Sequence, residues 1–133
     1  MANYQIITDS GCDLPAQMLE QLGVSAVALQ VNFRGQCMDD SVDTLAKEMY
    51  DGLRAGEAAT TSAVNPSRWA QVIEPALKDG KDALVITFSS GLSATYQSAV
   101  IAADELKETY PDRKILVVDS LCASLGQGLL VWH

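Results

Sequence analysis

Short apolar runs alternate along the chain with longer stretches whose apolar residues recur at helical spacing. Tyr4 to Thr8 is largely apolar and β-branched and is closed by Asp9-Ser10-Gly11, which predicts a buried strand running into a polar loop. A helix follows from Leu14, with Pro15 in its first turn, Met18, Leu19 and Leu22 on one stripe, and Gly23 as its stop. Val24 to Phe33 reads as a second strand, in the sheet over Val24–Val31. Arg34-Gly35-Gln36 then makes a turn, and a short hairpin continues through Met38. Asp43 or Thr44 caps a helix with the stripe Leu45, Met49, Leu53, ended by Gly56. Another helix begins at Pro66 and turns Trp69, Val72, Ile73 and Leu77 inward, with a kink expected at Pro75.

The second half repeats the pattern more plainly. Ala83 to Phe88 and Lys114 to Val118 are continuous apolar runs, the mark of strands covered on both faces, and a helix from about Ser93 to Tyr110 joins them. Ala123 to Trp132 is an apolar helical segment with two glycines. Strands alternating with helices imply right-handed crossovers. The expected fold class is therefore α/β, a three-layer α/β/α domain with a mainly parallel sheet.

Composition narrows the possible functions. The 133 residues fit one domain, and 48% hydrophobic content with few aromatics predicts a core of Val, Ile, Leu and Ala. Nine Lys and Arg against 17 Asp and Glu give a net charge of −8, which disfavours nucleic acid and anionic membrane surfaces as partners. No stretch approaches the ~20 apolar residues of a membrane span, so stable membrane insertion is not expected, and the start lacks a secretory pattern. Three cysteines without C-x-x-C spacing read as reduced thiols rather than disulfides or a zinc site, and the chain reads as cytoplasmic.

In a parallel sheet, ligands gather beyond the carboxyl ends of the strands, which directs attention to three hydroxyl-rich loops. These are Thr8-Asp9-Ser10, Ser89 to Thr95, and Asp119-Ser120; a fourth polar segment, Thr60-Thr61-Ser62, precedes the Pro66 helix. The Ser89–Thr95 loop leads into a helix, so hydroxyls and backbone N–H groups would converge on a small anion. It holds no arginine, which suits a carboxylate better than a polyphosphate. The same serines also suit helix capping and chain turning.

An enzyme reading competes with this one. Gly91-Leu92-Ser93-Ala94-Thr95 nearly spells the G-x-S-x-G elbow of a serine esterase or lipase, with Ser93 as nucleophile, and Asp119 and His133 follow in the matching order. Against it, the second glycine is Ala94, no HGGG-type segment is present, and the single histidine is residue 133. Asp39, Asp40 and Asp43 lack the glycine and distal glutamate of an EF-hand loop, and no dinucleotide or P-loop glycine motif follows a strand, so neither metal nor cofactor is expected.

Taken together, the loops resemble those of the DegV family. Thr8-Asp9-Ser10-Gly11-Cys12-Asp13-Leu14-Pro15 is similar to its opening T-D-S-x-x-D-L-P, and Val31-Asn32-Phe33 with Asp39-Asp40 to its next signature. Thr61-Ser62 stands where the family has T-S-Q-P-S, and Ser89 to Ala99 is similar to S-S-G-L-S-G-T-Y-Q-S-A. Asp119-Ser120, Ala123-Ser124 and Gly126-Gln127-Gly128 resemble the last block of the family's first domain. The resemblance implies that residues 1–133 are the amino-terminal domain of a two-domain fold, truncated within the helix near Ala123, with the second domain absent. It further implies a lipid-binding role. A long-chain fatty acid lies in an apolar tunnel with its carboxylate held by Thr61, Ser62, Ser93, Ser90 and Gly91. The domain has no catalytic residue and presents the acid to a separate fatty acid kinase catalytic subunit for phospholipid synthesis. Ala63 and Val64 in place of Gln-Pro, Ala94 in place of glycine, and Leu121 where a polar residue is frequent depart from the pattern.

Overall fold

A computed structural model describes residues 3–40 and 43–133 of the chain. Strands β1 (Tyr4–Asp9), β2 (Ser25–Val27), β6 (Asp82–Thr87) and β7 (Ile115–Asp119) form a parallel sheet in the order β2-β1-β6-β7. Strands β3 (Gln30–Phe33), β4 (Gln36–Asp39) and β5 (Ala59–Ser62) form a second, antiparallel sheet in the order β4-β3-β5. The helices are α1 (Ala16–Leu22), α2 (Asp43–Arg54), α3 (Pro66–Lys78), α4 (Thr95–Thr109) and α5 (Ser124–Trp132).

Alternation along the parallel strands divides the core. Ile7 and Val85 face one side, where α3 and α4 supply Trp69, Ile73, Leu77, Ala99, Ala102 and Ala103. Ile6, Leu84 and Ile86 face the other, where α1 and α5 supply Leu19 and Val131. Strands sandwiched this way must be apolar on both faces, which is why their sequences read as unbroken runs. The sheet flanked by helices is the α/β architecture expected from the sequence.

Several boundaries differ from expectation. The segment Val24–Phe33 is two strands, not one: Ser25–Val27 pairs in parallel with β1, and Gln30–Phe33 turns into the antiparallel sheet. The hairpin through Met38 forms, with Val31 opposite Met38. Thr60-Thr61-Ser62, read as a polar segment, is strand β5, paired with β3. Helix α4 begins at Thr95 rather than Ser93. Pro75 lies inside α3, which continues to Lys78 because Asp79 N–H still finds the Pro75 carbonyl at 3.1 Å. Asn65 caps that helix, its side-chain oxygen accepting from Arg68 N–H at 3.0 Å. On α2, Met49 is half-buried and Leu53 is exposed, while Gly52 is buried and packs closely on the Phe33 ring. The cap expected at Asp43 or Thr44 and the inward Leu45 lie outside the described side chains.

Two glycines matter for how helices meet the sheet. Gly23 ends α1 at φ 66, and Val24 N–H reaches back to the Leu19 carbonyl at 2.9 Å, so the chain enters β2 directly. Gly128 lets α5 sit on the turn Ser10–Cys12: a Cβ there would lie 2.7 Å from the Cys12 carbonyl oxygen. The opposite face of α5 is apolar but uncovered, with Leu125, Leu129 and Trp132 more than half exposed. No described helix is long and apolar enough to cross a membrane.

Candidate functional site

The loop after β1 is consumed by the fold. Thr8 Oγ1 donates to the Ile86 carbonyl at 2.8 Å. Asp9, fully buried, accepts from Phe88 N–H at 2.8 Å, Gly11 N–H at 2.9 Å and the Gln127 side-chain amide at 3.3 Å. Burial pushes the Asp9 carboxyl above its ordinary value, against the pull of these three donors. Ser10 Oγ accepts from Leu29 N–H at 2.9 Å and donates to Asp40 at 2.9 Å. Thr8 and Asp9 thus tie β1, β6 and α5 together, while Ser10, bonded to Leu29 and Asp40, faces a groove beside α1.

The loop after β7 braces the loop after β6. Ser90 N–H and Leu121 N–H both donate to Asp119 Oδ1 at 3.1 Å, and Ser89 N–H donates to the Cys122 carbonyl at 3.0 Å. The Ser90 hydroxyl beside it, helped by these N–H groups, holds the Asp119 carboxyl below the usual range despite some burial. Gly91 N–H is taken by Ser89 Oγ at 3.2 Å. Two backbone donors expected to meet an anion are thus engaged within the loop.

Ser93 occupies a different position. It is half-buried at the head of α4, and its Oγ lies 2.9 Å from Thr95 Oγ1 and accepts from Thr95 N–H at 3.2 Å. Thr95 Oγ1 in turn accepts from Val64 N–H at 3.4 Å. Val64 is two residues past the end of β5, so this link draws the Ser93 loop toward the Thr61-Ser62 strand. Thr61 and Ser62 themselves point to opposite faces of the small sheet, as neighbours in a strand must. Thr61 lies opposite Val31, on the face where Val31 and Phe33 are buried; Ser62 lies on the other, where Asn32 Nδ2 donates to its Oγ at 3.2 Å. The structure therefore brings the two motifs into one neighbourhood through Thr95, with no direct bond between Ser93 and Thr61 or Ser62 among the described residues. Thr95 and Asn32, which the sequence reading did not single out, make these connections. The advance signals for Thr95 were its place at the end of the hydroxyl-rich Ser89–Thr95 loop and two residues after a serine at a helix start.

The elbow geometry of a hydrolase is not assembled. Ser93 bonds to Thr95, Asp119 bonds to Ser90 and Leu121, and His133 is exposed at the end of α5. Ser93 also lies outside the left-handed backbone region where the strained nucleophile of an elbow sits.

A groove of about 460 Å³ lies between α1, the end of β2 and the start of α2. Leu14, Leu19, Val27, Ala28 and Ala46 form apolar walls, and Asp13 and Asp40 stand at its polar edge. None of the five expected head-group residues lines it. Sheet register measures its separation from them: Asp39, next to Asp40, lies opposite Gln30, which lies opposite Ser62. Two strand spacings, about 10 Å, separate Asp39 from Ser62.

Comparison with known proteins agrees with this architecture. A DegV domain-containing protein of Clostridium perfringens is 41% identical over 135 residues, which cover 100% of this chain and 46% of that protein. A solved structure described as showing fatty acid binding by a DegV family protein of Thermus thermophilus is 37% identical. It superposes with a TM-score of 0.83 over 96% of this chain and 44% of its own. The fatty acid kinase (Fak) B3 protein of Streptococcus pneumoniae, solved loaded with linoleic acid, is 28% identical with a TM-score of 0.78, over 98% of this chain and 46% of its own. The chain thus spans about half the length of the relatives it matches. The family profile described as "uncharacterised protein, DegV family" matches residues 3–133, and the chain belongs to that family.

Proposed function

We propose that this chain is the amino-terminal domain of a two-domain lipid-binding protein. It holds a long-chain fatty acid by its carboxylate, performs no covalent step, and presents the acid to a separate fatty acid kinase subunit in the cytoplasm. The head group falls to Ser93, Ser90 and Gly91 together with either Thr61 or Ser62. The observation that supports the reading is the Val64–Thr95–Ser93 link, in which a backbone N–H two residues past β5 bonds to the head of α4 and draws the Ser93 loop toward the strand that carries Thr61 and Ser62. Only one hydroxyl of the Thr61-Ser62 pair reaches any one head group, because strand alternation separates them. The Ser90 hydroxyl and N–H face Asp119, so Ser90 would meet the head group only by exchanging that bond, and Gly91 leaves the approach open, since a Cβ there would meet only Ser89 Oγ, at 3.5 Å. The groove beside Asp40 takes the tail, within an extended acyl chain's reach of β5. Its volume lies in the ordinary range for small-ligand sites, ~300–1,000 Å³.

The relatives' described ligands, a fatty acid and linoleic acid, support the ligand class, and the kinase name of the Streptococcus pneumoniae protein supports the partner. The test is calorimetry or native mass spectrometry with a long-chain acid and a matched hydrocarbon. Ser93→Ala or Thr61→Val is expected to weaken the acid by roughly tenfold, about one charge-assisted hydrogen bond, and to leave the hydrocarbon unchanged. Equal losses for both ligands, or none, would refute the head-group assignment. Presentation is read separately: acyl phosphate formed by the kinase subunit with ATP should depend on adding this protein, and activity indifferent to it removes that part of the reading.

A further inference from the structure

Hydrogen-bond accounting around Thr95 gives that residue a role of its own. Thr95 is fully buried, and its hydroxyl has two partners: Val64 N–H, which can only donate, at 3.4 Å, and Ser93 Oγ at 2.9 Å. Two proton arrangements are possible between the hydroxyls. If Ser93 donated to Thr95, Thr95 Oγ1 would accept twice, and its own proton would need a third partner inside the core. Among the described residues no such acceptor bonds to it, and a buried hydroxyl proton without an acceptor is disfavoured. If Thr95 donates to Ser93, every group is satisfied: Ser93 Oγ then accepts from both Thr95 Oγ1–H and Thr95 N–H, the latter at 3.2 Å. A hydroxyl has two lone pairs and one proton, so Ser93 is left with only its proton to offer, on its half-exposed side.

We infer that Thr95 is a positioning residue that fixes Ser93 as an outward donor, so that the site selects a head group able to accept a hydrogen bond and rejects one that can only donate. The scaffold around Thr95 is rigid enough to hold this polarity. Trp69, the largest fully buried side chain, donates its indole N–H to the Thr95 carbonyl at 3.3 Å, anchoring the first turn of α4 against α3. The inference rests on the proposed binding reading for its ligand but not for its geometry. It adds a direction to the site: Ser93 prefers a carboxylate to an alcohol and an alcohol to an ammonium of equal chain length.

Two measurements on the full chain test it. The first needs no ligand: the Ser93 χ1 rotamer from NMR scalar couplings should be single in the wild type and in Thr95→Ser, and averaged in Thr95→Val, which keeps the shape but removes the hydroxyl. A single rotamer retained in Thr95→Val would overturn the positioning role. The second compares binding of a long-chain acid, alcohol and amine. Thr95→Val should shrink the acid-over-amine preference by about tenfold, the scale of one charge-assisted bond, and Thr95→Ser should restore it. An unchanged preference in a folded Thr95→Val variant refutes the inference while leaving fatty-acid binding intact. Failure of the wild type to bind the acid refutes the binding reading instead, and the rotamer measurement still decides the geometry.

Discussion

Replacing Asp9 with Asn tests whether the buried carboxylate is the fastener of the fold. The two side chains are nearly isosteric, yet Asp9 is surrounded by donors alone: Phe88 N–H on one oxygen, Gly11 N–H and the Gln127 amide on the other. Asn has one acceptor oxygen, so its amino group must face either Phe88 N–H or the Gly11 and Gln127 pair. One of these hydrogen bonds is lost and its buried donor left unpaired, at ~1–3 kcal/mol, whether or not the carboxyl is charged. Part of this is offset because a neutral amide is cheaper to bury than a carboxylate. A net loss of about 2 kcal/mol follows, seen as a fall of roughly 5–10 °C in Tm for a domain of this size. Urea denaturation as a function of pH supplies the second reading. Burial raises the folded pKa of Asp9, so its contribution to stability is complete below the unfolded value near 3.8 and is lost as pH rises through the folded value. Asn does not titrate, so the gap between wild type and variant should be widest in acid and narrow as pH rises. A gap that widens with pH would mean that the donors outweigh burial, and an unchanged Tm would mean that this junction does not hold the fold.

Two further outcomes follow from particular residues. Leu121 is exposed in the left-handed region at φ 55, where Asn or Gly is favoured, so Leu121→Asn should stabilise the domain by about 1 kcal/mol in urea denaturation; no gain would mean that the loop holds that conformation without strain. The outer face of α5, with Leu125, Leu129 and Trp132 exposed, should make the isolated chain self-associate in sedimentation velocity experiments, and Leu125→Lys with Leu129→Lys should return it to monomer; a wild-type monomer at high concentration would refute this.

The parallel core was legible because β1 and β6 lie inside the sheet with helices on both faces, and such strands announce themselves as unbroken apolar runs; β7 reads the same way although it is the edge strand and its Leu116 is 61% exposed. Val24–Phe33 misled for the same reason. Both halves are apolar and β-forming, and the change of sheet at Ala28-Leu29 carries no glycine or proline to mark it. Strand β5 was illegible because Thr60 and Thr61 are exposed and its pairing with β3, a long-range contact, decides its conformation. In the candidate site, the Ser93 motif could be read as a place but not as a circuit. That Asp119 and Ser89 occupy the N–H groups of Ser90 and Gly91, and that Val64 reaches Thr95, depends on loops meeting in space.

If the head group is held by neutral donors, as proposed, a limit follows on what this domain does alone. Ser93 and one hydroxyl of the Thr61-Ser62 pair offer two charge-assisted bonds, ~1.5–3 kcal/mol each, and the carboxylate must shed water to take them, so the head supplies direction more than affinity. Affinity must come from the tail, at ~0.8 kcal/mol per buried CH₂, and only from the carbons that are fully enclosed. The groove beside Asp40 is walled by α1, β2 and α2 but has Asp13 and Asp40 in its lining, so an acyl chain placed there as proposed would meet charged as well as apolar wall. Charge works in the same direction. A chain carrying −8 gains nothing at long range from an anionic ligand, so electrostatic steering does not repair a shortfall in burial. On the proposed reading, head and tail would divide the work between them: the hydroxyls would choose a carboxylate, and the strength of the choice would wait on how much apolar wall surrounds the chain behind it.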